Sequence, residues 1–287
     1  MPFTTLIDVS SLKGELDDPK IVVVDCRFDL MKPDAGHRAY LTGHIPKARY
    51  ADLNKDLSAP ARPDSGRHPL PAPRVFAATL GRLGIGNGSQ VVAYDDSAGS
   101  YAARLWWMLR WMGHTAAAVL DGGFQAWILA AGELGKGEES RAPHDSQAAS
   151  FAPRVDDAAV IVAAELAARL QDPRFSLVDA RAAERFAGTV EPIDAIAGHV
   201  PGAANHPFAE NLAPDGRFLP AAELRRRWLK RLGDTPPSNV AAMCGSGVTA
   251  CHNLLALEVA GLAGAKLYAG SWSEWIRDSS RPIARGA

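Results

Sequence analysis

The sequence predicts an α/β protein made of two tandem units, each a mainly parallel sheet flanked by helices. Three observations carry this. Short continuous apolar runs, of the kind a strand buried on both faces shows, alternate with longer apolar segments of good helix formers. The same sequence blocks recur in the same order in the two halves. A chain of 287 residues is long enough for two domains of ordinary size.

The repeat is explicit. Ile21-Val22-Val23-Val24-Asp25-Cys26-Arg27 is echoed by Phe175-Ser176-Leu177-Val178-Asp179-Ala180-Arg181. Gly43-His44-Ile45-Pro46 is echoed by Gly198-His199-Val200-Pro201. Val92-Ala93-Tyr94-Asp95-Asp96 stands against Val240-Ala241-Ala242-Met243-Cys244, which sets Asp96 at the position of Cys244. Trp127, in Asp121-Gly122-Gly123-Phe124-Gln125-Ala126-Trp127, stands against Trp275, in Ala269-Gly270-Ser271-Trp272-Ser273-Glu274-Trp275. In the first unit Ile21–Asp25 reads as a buried strand, and 75–83 as a helix ended by Gly84. Gln90–Tyr94 reads as the central strand, and 101–112 as a helix ended by Gly113. The run 116–120 reads as a strand and 123–131 as a helix. Domains are expected at 1–135 and 156–287, joined by a polar surface linker at 136–155. The segment 59–73, with five prolines and Gly66, is long for an ordinary loop, and such loops are often functional.

Composition narrows the function. A net charge of -1 gives no overall attraction to nucleic acid or to an anionic membrane. No apolar stretch is long enough to span a bilayer, and the first residues lack the basic-then-apolar pattern of a secretory signal. Three cysteines, Cys26, Cys244 and Cys251, make no disulfide framework and suggest a reducing, cytoplasmic setting. No cysteine or histidine spacing suggests a metal site.

The chemistry concentrates at Cys244. The run Asn239 to Met243 reads as a buried strand, and 248–260 as a helix, so Cys244 falls at a strand-to-helix turn. Parallel sheets bind ligands beyond the carboxyl ends of their strands, where this turn lies. Unpaired N–H groups and the helix dipole favour a thiolate there. Gly245 and Gly247 let the loop curl, so that N–H groups of Gly245, Ser246, Gly247, Val248 and Thr249 face the sulfur. Such a loop suits a nucleophile that carries an extra anionic group. Cys251, about two turns further along the same helix, reads as packing. His44 and His199 recur in both halves and read as structural. Trp106, Trp107 and Trp111 share helical spacing and read as core or as an interdomain face.

The string Cys244-Gly245-Ser246-Gly247-Val248-Thr249, with the repeated Asp-x-Arg, Gly-His-(Ile/Val)-Pro and Gly-Gly-Phe-x-x-Trp blocks, resembles the rhodanese family of sulfurtransferases over nearly the whole chain. The loop is closest to the family's mercaptopyruvate branch. The thiosulfate branch has a charged pair where Gly245 and Ser246 stand. The resemblance implies two tandem rhodanese-like domains, the first non-catalytic and the second catalytic, and no cofactor. It implies that Cys244 takes sulfur from a small anionic donor and passes it, as a persulfide, to a thiol, cyanide or thioredoxin-like acceptor. Ser246 would bond the substrate or relay a proton. Arg185, in Glu184-Arg185-Phe186-Ala187-Gly188-Thr189, matches the substrate-binding arginine, whose fork suits a carboxylate or thiosulfonate. His68 would reach the site from the first domain, and a monomer is expected.

Two departures matter. The mercaptopyruvate branch has a second arginine in a Glu-Pro-Arg block, where this chain has Glu191-Pro192-Ile193-Asp194. Arg67 is the residue that could supply the missing charge. Asn54 stands where the family has an acidic partner for the histidine, which weakens a Ser-His-Asp relay. Thiosulfate therefore stays open as donor. The other readings are a non-catalytic or persulfide-carrying partner module and a cysteine phosphatase. The latter lacks its arginine, since Ala250 holds that position.

Overall fold

The computed structural model describes residues 1–139 and 150–286. Its chain divides into two compact units. Met1–Ala59, Pro71–Asp156 and Asp215–Arg217 form the first, and Pro60–Leu70, Asp157–Pro214 and Phe218–Ala287 the second.

The first unit is a five-stranded sheet, all parallel, in the order β1-β5-β4-β2-β3. The strands are β1 (Leu6–Ile7), β2 (Ile21–Asp25), β3 (Arg49–Tyr50), β4 (Gln90–Tyr94) and β5 (Ala117–Leu120). The helices are α1 (Val9–Glu15), α2 (Ala35–Thr42), α3 (Pro73–Arg82), α4 (Ala102–Trp111) and α5 (Gly123–Leu129). Asp8 caps α1 by accepting the Ser11 N–H at 2.9 Å. Val23, Val92, Tyr94, Ala118 and Leu120 pack with Val9, Leu12 and Trp127 in one core cluster. Their strand neighbours Val24, Val91, Ala93, Ala117 and Val119 are equally buried. Both faces of the sheet are covered, which is why the strands read as unbroken apolar runs. Trp106, Trp107 and Trp111 are buried on α4; the last two stack at 6.1 Å, and the Trp106 indole donates to the Thr4 carbonyl.

The second unit has a four-stranded parallel sheet in the order β7-β6-β8-β9. Its strands are β6 (Ser176–Asp179), β7 (Ala204–Asn205), β8 (Val240–Met243) and β9 (Lys266–Leu267). Its helices are α6 (Ala163–Arg169), α7 (Ala183–Phe186), α8 (Ala221–Leu232), α9 (Thr249–Val259) and α10 (Ser271–Trp275). Leu177, Ala241, Met243, Tyr268, Trp272 and Trp275 form its core with Ile161 and Leu166.

The repeated blocks do the same work twice. Arg27 folds back onto the Asp25 carboxylate and donates to Gly43 O at 2.7 Å; Arg181 does so with Asp179 and with Gly198 O at 2.8 Å. Their guanidiniums lie over Phe124 and Trp272. His44 Nδ1 meets Tyr40 O and His199 Nδ1 meets Phe186 O, each at 2.8 Å, so both histidines are structural pins.

Three expectations change. Strand register pairs Asp25 with Tyr94 and Asp179 with Met243, so the residue equivalent to Cys244 is Asp95, not Asp96. Phe124 N–H donates to Asp95 O as Trp272 N–H donates to Cys244 O, which confirms the match. Asp96 is exposed, whereas Asp95 is fully buried and accepts N–H groups of Ser97, Gly99, Tyr101 and Ala102. Burial pushes its carboxyl up, against those four donors. The boundary near 135 also moves. Gly137 N–H donates to Leu41 O and Arg49 to Glu139 O, while Arg154 and Asp156 N–H groups donate to Met112 O and Trp111 O. The ends of the expected linker therefore pack on the first unit, and its middle, 140–149, lies outside the described residues. Finally, Pro60–Leu70 belongs to the second unit although it lies in the first half of the sequence.

Candidate active site

Cys244 directly follows β8, the strand between β6 and β9. The first turn of α10 holds it there. Ser271 Oγ accepts Cys244 N–H at 3.1 Å, Trp272 N–H donates to Cys244 O at 3.0 Å, and Ser273 N–H donates to Gly245 O at 2.9 Å. The thiol is buried, and Gly247 N–H donates to its sulfur at 3.2 Å. Gly247 sits at φ 77, where a Cβ would stand 2.3 Å from Ala269 O, so only glycine lets this N–H turn toward Sγ. Val248 and Thr249 open α9, whose N-terminus adds its positive end to the loop. Of the five loop N–H groups expected at the sulfur, Gly247 is the hydrogen-bond donor to it among the described residues. Cys251 is wholly buried and donates to Gly247 O at 3.3 Å, a packing role.

Ser246 Oγ lies 2.8 Å from His68 Nδ1, and both side chains are buried. The structure thus joins two residues far apart in sequence, within one unit. Asn54 is exposed and belongs to the first unit.

Arg185 and Arg67 converge on the same loop. From the site of a Cβ on Gly245, Arg67 Nη2 is 3.0 Å away and Arg185 Nη2 3.6 Å. Arg185, in the last turn of α7, bonds Glu191 Oε1 at 2.7 Å and Asp194 Oδ2 at 3.1 Å. Arg67 Nη1 pairs with Asp194 Oδ1, and its backbone N–H donates to Ser273 Oγ at 3.1 Å. The Nε atoms of both arginines are buried without a hydrogen-bond partner among the described residues. Ile193 is exposed, and its N–H, with that of Asp194, donates to Glu191 Oε1. Burial raises the Glu191 carboxyl, but Arg185 and the two N–H donors outweigh it, and the group is held low. Asp194 is held above the usual carboxylate range by burial and by Glu191, against the pull of Arg67 and Arg185.

The structure brings together the cysteine, serine, histidine and both arginines that the sequence singled out. Sequence reasoning passed over Ser271 and Ser273, which anchor the loop, and Asp194, which bridges the arginines. Asp194 stood inside a block read only for the arginine it lacks.

A thiol at a helix N-terminus beside two guanidiniums and a Ser-His pair is an arrangement that can carry nucleophilic group transfer from a small anion. The chain matches the rhodanese-like domain family twice, over residues 8–130 and 162–278. A Pseudomonas aeruginosa protein described as a probable 3-mercaptopyruvate sulfurtransferase is 48% identical over 100% of both chains. A Mycobacterium tuberculosis protein with thiosulfate sulfurtransferase in its description is 40% identical, over 98% of this chain and 97% of its own. The solved 3-mercaptopyruvate sulfurtransferase from Leishmania major aligns with a TM-score of 0.83 at 34% identity, covering 95% of this chain and 74% of that one. The chain belongs to the rhodanese family and is a two-domain sulfurtransferase of it.

Proposed function

We propose that the protein moves sulfur from 3-mercaptopyruvate to a thiol, cyanide or thioredoxin-like acceptor through a persulfide on Cys244. One observation carries this most: Arg67 and Arg185 both stand over Gly245, next to the thiol. They restore the two-arginine grip on a carboxylate that Ile193 would otherwise leave incomplete.

In the first step the Cys244 thiolate attacks the donor's sulfur. The S–S bond forms as the C–S bond breaks, and the electron pair goes to the pyruvate enolate. The proton of the donor's thiol reaches that carbon, giving pyruvate and an anionic persulfide. Ser246 Oγ bonds the donor's carbonyl oxygen and passes the proton, a reading supported by its hydrogen bond to His68 Nδ1. Gly247 N–H stabilises Sγ as the attacking thiolate, and the α9 N-terminus favours the negative charge of the persulfide. The acceptor then attacks that sulfur and releases the Cys244 thiolate. Gly245, Val248 and Thr249 shape the loop around these groups.

In this reading the second unit carries the chemistry. The first is non-catalytic, because Asp95 fills its loop with a carboxylate that cannot accept sulfur. Cys26, Cys244 and Cys251 are all buried, which supports a reducing, cytoplasmic setting. No described helix is long and apolar enough to cross a membrane. A monomer and independence from nucleic acid complete the proposal.

The test is kcat/KM for 3-mercaptopyruvate and for thiosulfate, side by side, with cyanide as acceptor. A clear preference for 3-mercaptopyruvate, abolished by Cys244→Ser, is expected. A preference for thiosulfate would overturn the donor assignment, and turnover by the Ser variant would overturn the nucleophile. Thiosulfate remains the second reading because Arg67 and Arg185 would also hold a thiosulfonate.

A further inference from the structure

We propose that Asp194 sets the donor choice of this site: its carboxylate bridges Arg67 and Arg185 and matches the pair to a singly charged donor rather than a doubly charged one. The inference rests on the reading of those arginines as the donor clamp.

The charges near the loop are few and fixed. Arg67 and Arg185 face Gly245. Behind them stand Asp194, bonded to both, and Glu191, bonded to Arg185; the side chains of both acids are almost fully buried. Arg181 is bonded to Asp179, and its Nη1 also lies 3.5 Å from Glu191 Oε2. Three cations, Arg67, Arg181 and Arg185, and three carboxylates, Asp179, Glu191 and Asp194, leave the cluster neutral before any donor arrives. A carboxylate donor then adds one negative charge to a buried site, and thiosulfate adds two. Excess buried charge is costly, so the neutral cluster discriminates against the dianion.

Asp194 occupies only part of each guanidinium. Its oxygens take Arg67 Nη1 and Arg185 Nη2, while Arg67 Nη2 and Arg185 Nη1 lie 3.0 and 3.7 Å from the site of a Cβ on Gly245. The Asp194 bridge thus aims the guanidiniums and tempers their charge while it leaves Arg67 Nη2 and Arg185 Nη1 toward the loop. Asp194 touches no reacting atom and is a positioning residue.

The experiment separates charge from shape. In a Cys244→Ser background, where sulfur transfer cannot occur, Kd is measured for thiosulfate and for pyruvate, with and without Asp194→Asn and Asp194→Glu. The Asn variant is expected to bind thiosulfate about tenfold more tightly and to change pyruvate binding far less. The Glu variant, which keeps the charge, is expected to keep the parent's ratio. A purely structural role would weaken both ligands alike, and that result overturns the proposal; so does an unchanged ratio in the Asn variant. Should that variant not fold, Asp194→Ala removes the same charge and is read the same way. Arg185→Gln and Arg67→Gln in the same background test the underlying reading. If neither weakens either ligand, the clamp itself is wrong. If they do and the Asp194 ratio stays fixed, only the role of Asp194 is wrong.

Discussion

Gly247→Ala should damage both the fold and the chemistry, whereas Gly245→Ala, in the same loop, should damage the chemistry alone. At Gly247 the backbone has φ 77, and a Cβ would stand 2.3 Å from Ala269 O and 3.0 Å from Ala269 C. A left-handed conformation costs an alanine about 1–2 kcal/mol. Relieving a clash against backbone adds about 1–3 kcal/mol. The sum, roughly 2–5 kcal/mol, corresponds to a fall in Tm of roughly 5–15 °C for a unit of this size. Any loop shift that relieves the clash also turns the Gly247 N–H away from Sγ, and losing one such donor costs about a hundredfold in kcat. At Gly245 the added carbon meets only the ends of side chains, Arg67 Nη2 at 3.0 Å and Arg185 Nη2 at 3.6 Å, and its backbone is outside the left-handed region. Those ends can move, so stability should change by less than about 0.5 kcal/mol. The displaced guanidiniums should raise KM for the anionic donor about tenfold, with kcat less affected. Thermal denaturation and steady-state kinetics on both variants decide the matter. Equal Tm losses in the two, or full activity in Gly247→Ala, would refute the loop geometry.

Three further outcomes follow from the same geometry. Ser246→Ala and His68→Ala should each lower kcat for 3-mercaptopyruvate about a hundredfold, and the double variant should be little worse than either, since Oγ and Nδ1 act as one pair at 2.8 Å. Arg67→Gln should raise KM for the same donor by roughly 10- to 100-fold with kcat nearly kept, the loss of one charge-assisted hydrogen bond of about 1.5–3 kcal/mol. Stability should fall as pH drops through about 6.5, because burial holds His114 and His206 below the ordinary histidine range and the unfolded chain takes up protons that the folded one refuses. Each histidine contributes up to about 1.4 kcal/mol per pH unit in that window, and His114→Gln should flatten the measured slope.

The sequence carried the local features well, because local chemistry sets them. The runs Ile21–Asp25 and Gln90–Tyr94 emerge as strands with the expected bounds, since burial on both faces makes them continuously apolar. Gly84 and Gly113 end α3 and α4 with positive φ, as helix-terminating glycines do. The cysteine loop was legible from its glycines and from the strand and helix around it. Distant pairings were not legible. Asp95 and Asp96 are adjacent and chemically alike, so only register decides which one faces the loop, and a one-residue slip reverses the side chain. Strands of two residues such as β3 and β9 are too short to show any period. Arg67 and Asp194 meet across more than a hundred residues of sequence, and no local pattern announces an ion pair of that span.

The most direct test of the account is the mass of the intact protein after incubation with 3-mercaptopyruvate and no acceptor. One added sulfur atom, mapped to Cys244, removed by cyanide and absent in Cys244→Ser, is the expected result. Turnover with Cys244 left unmodified, or the sulfur found on Cys26 or Cys251 instead, would contradict it.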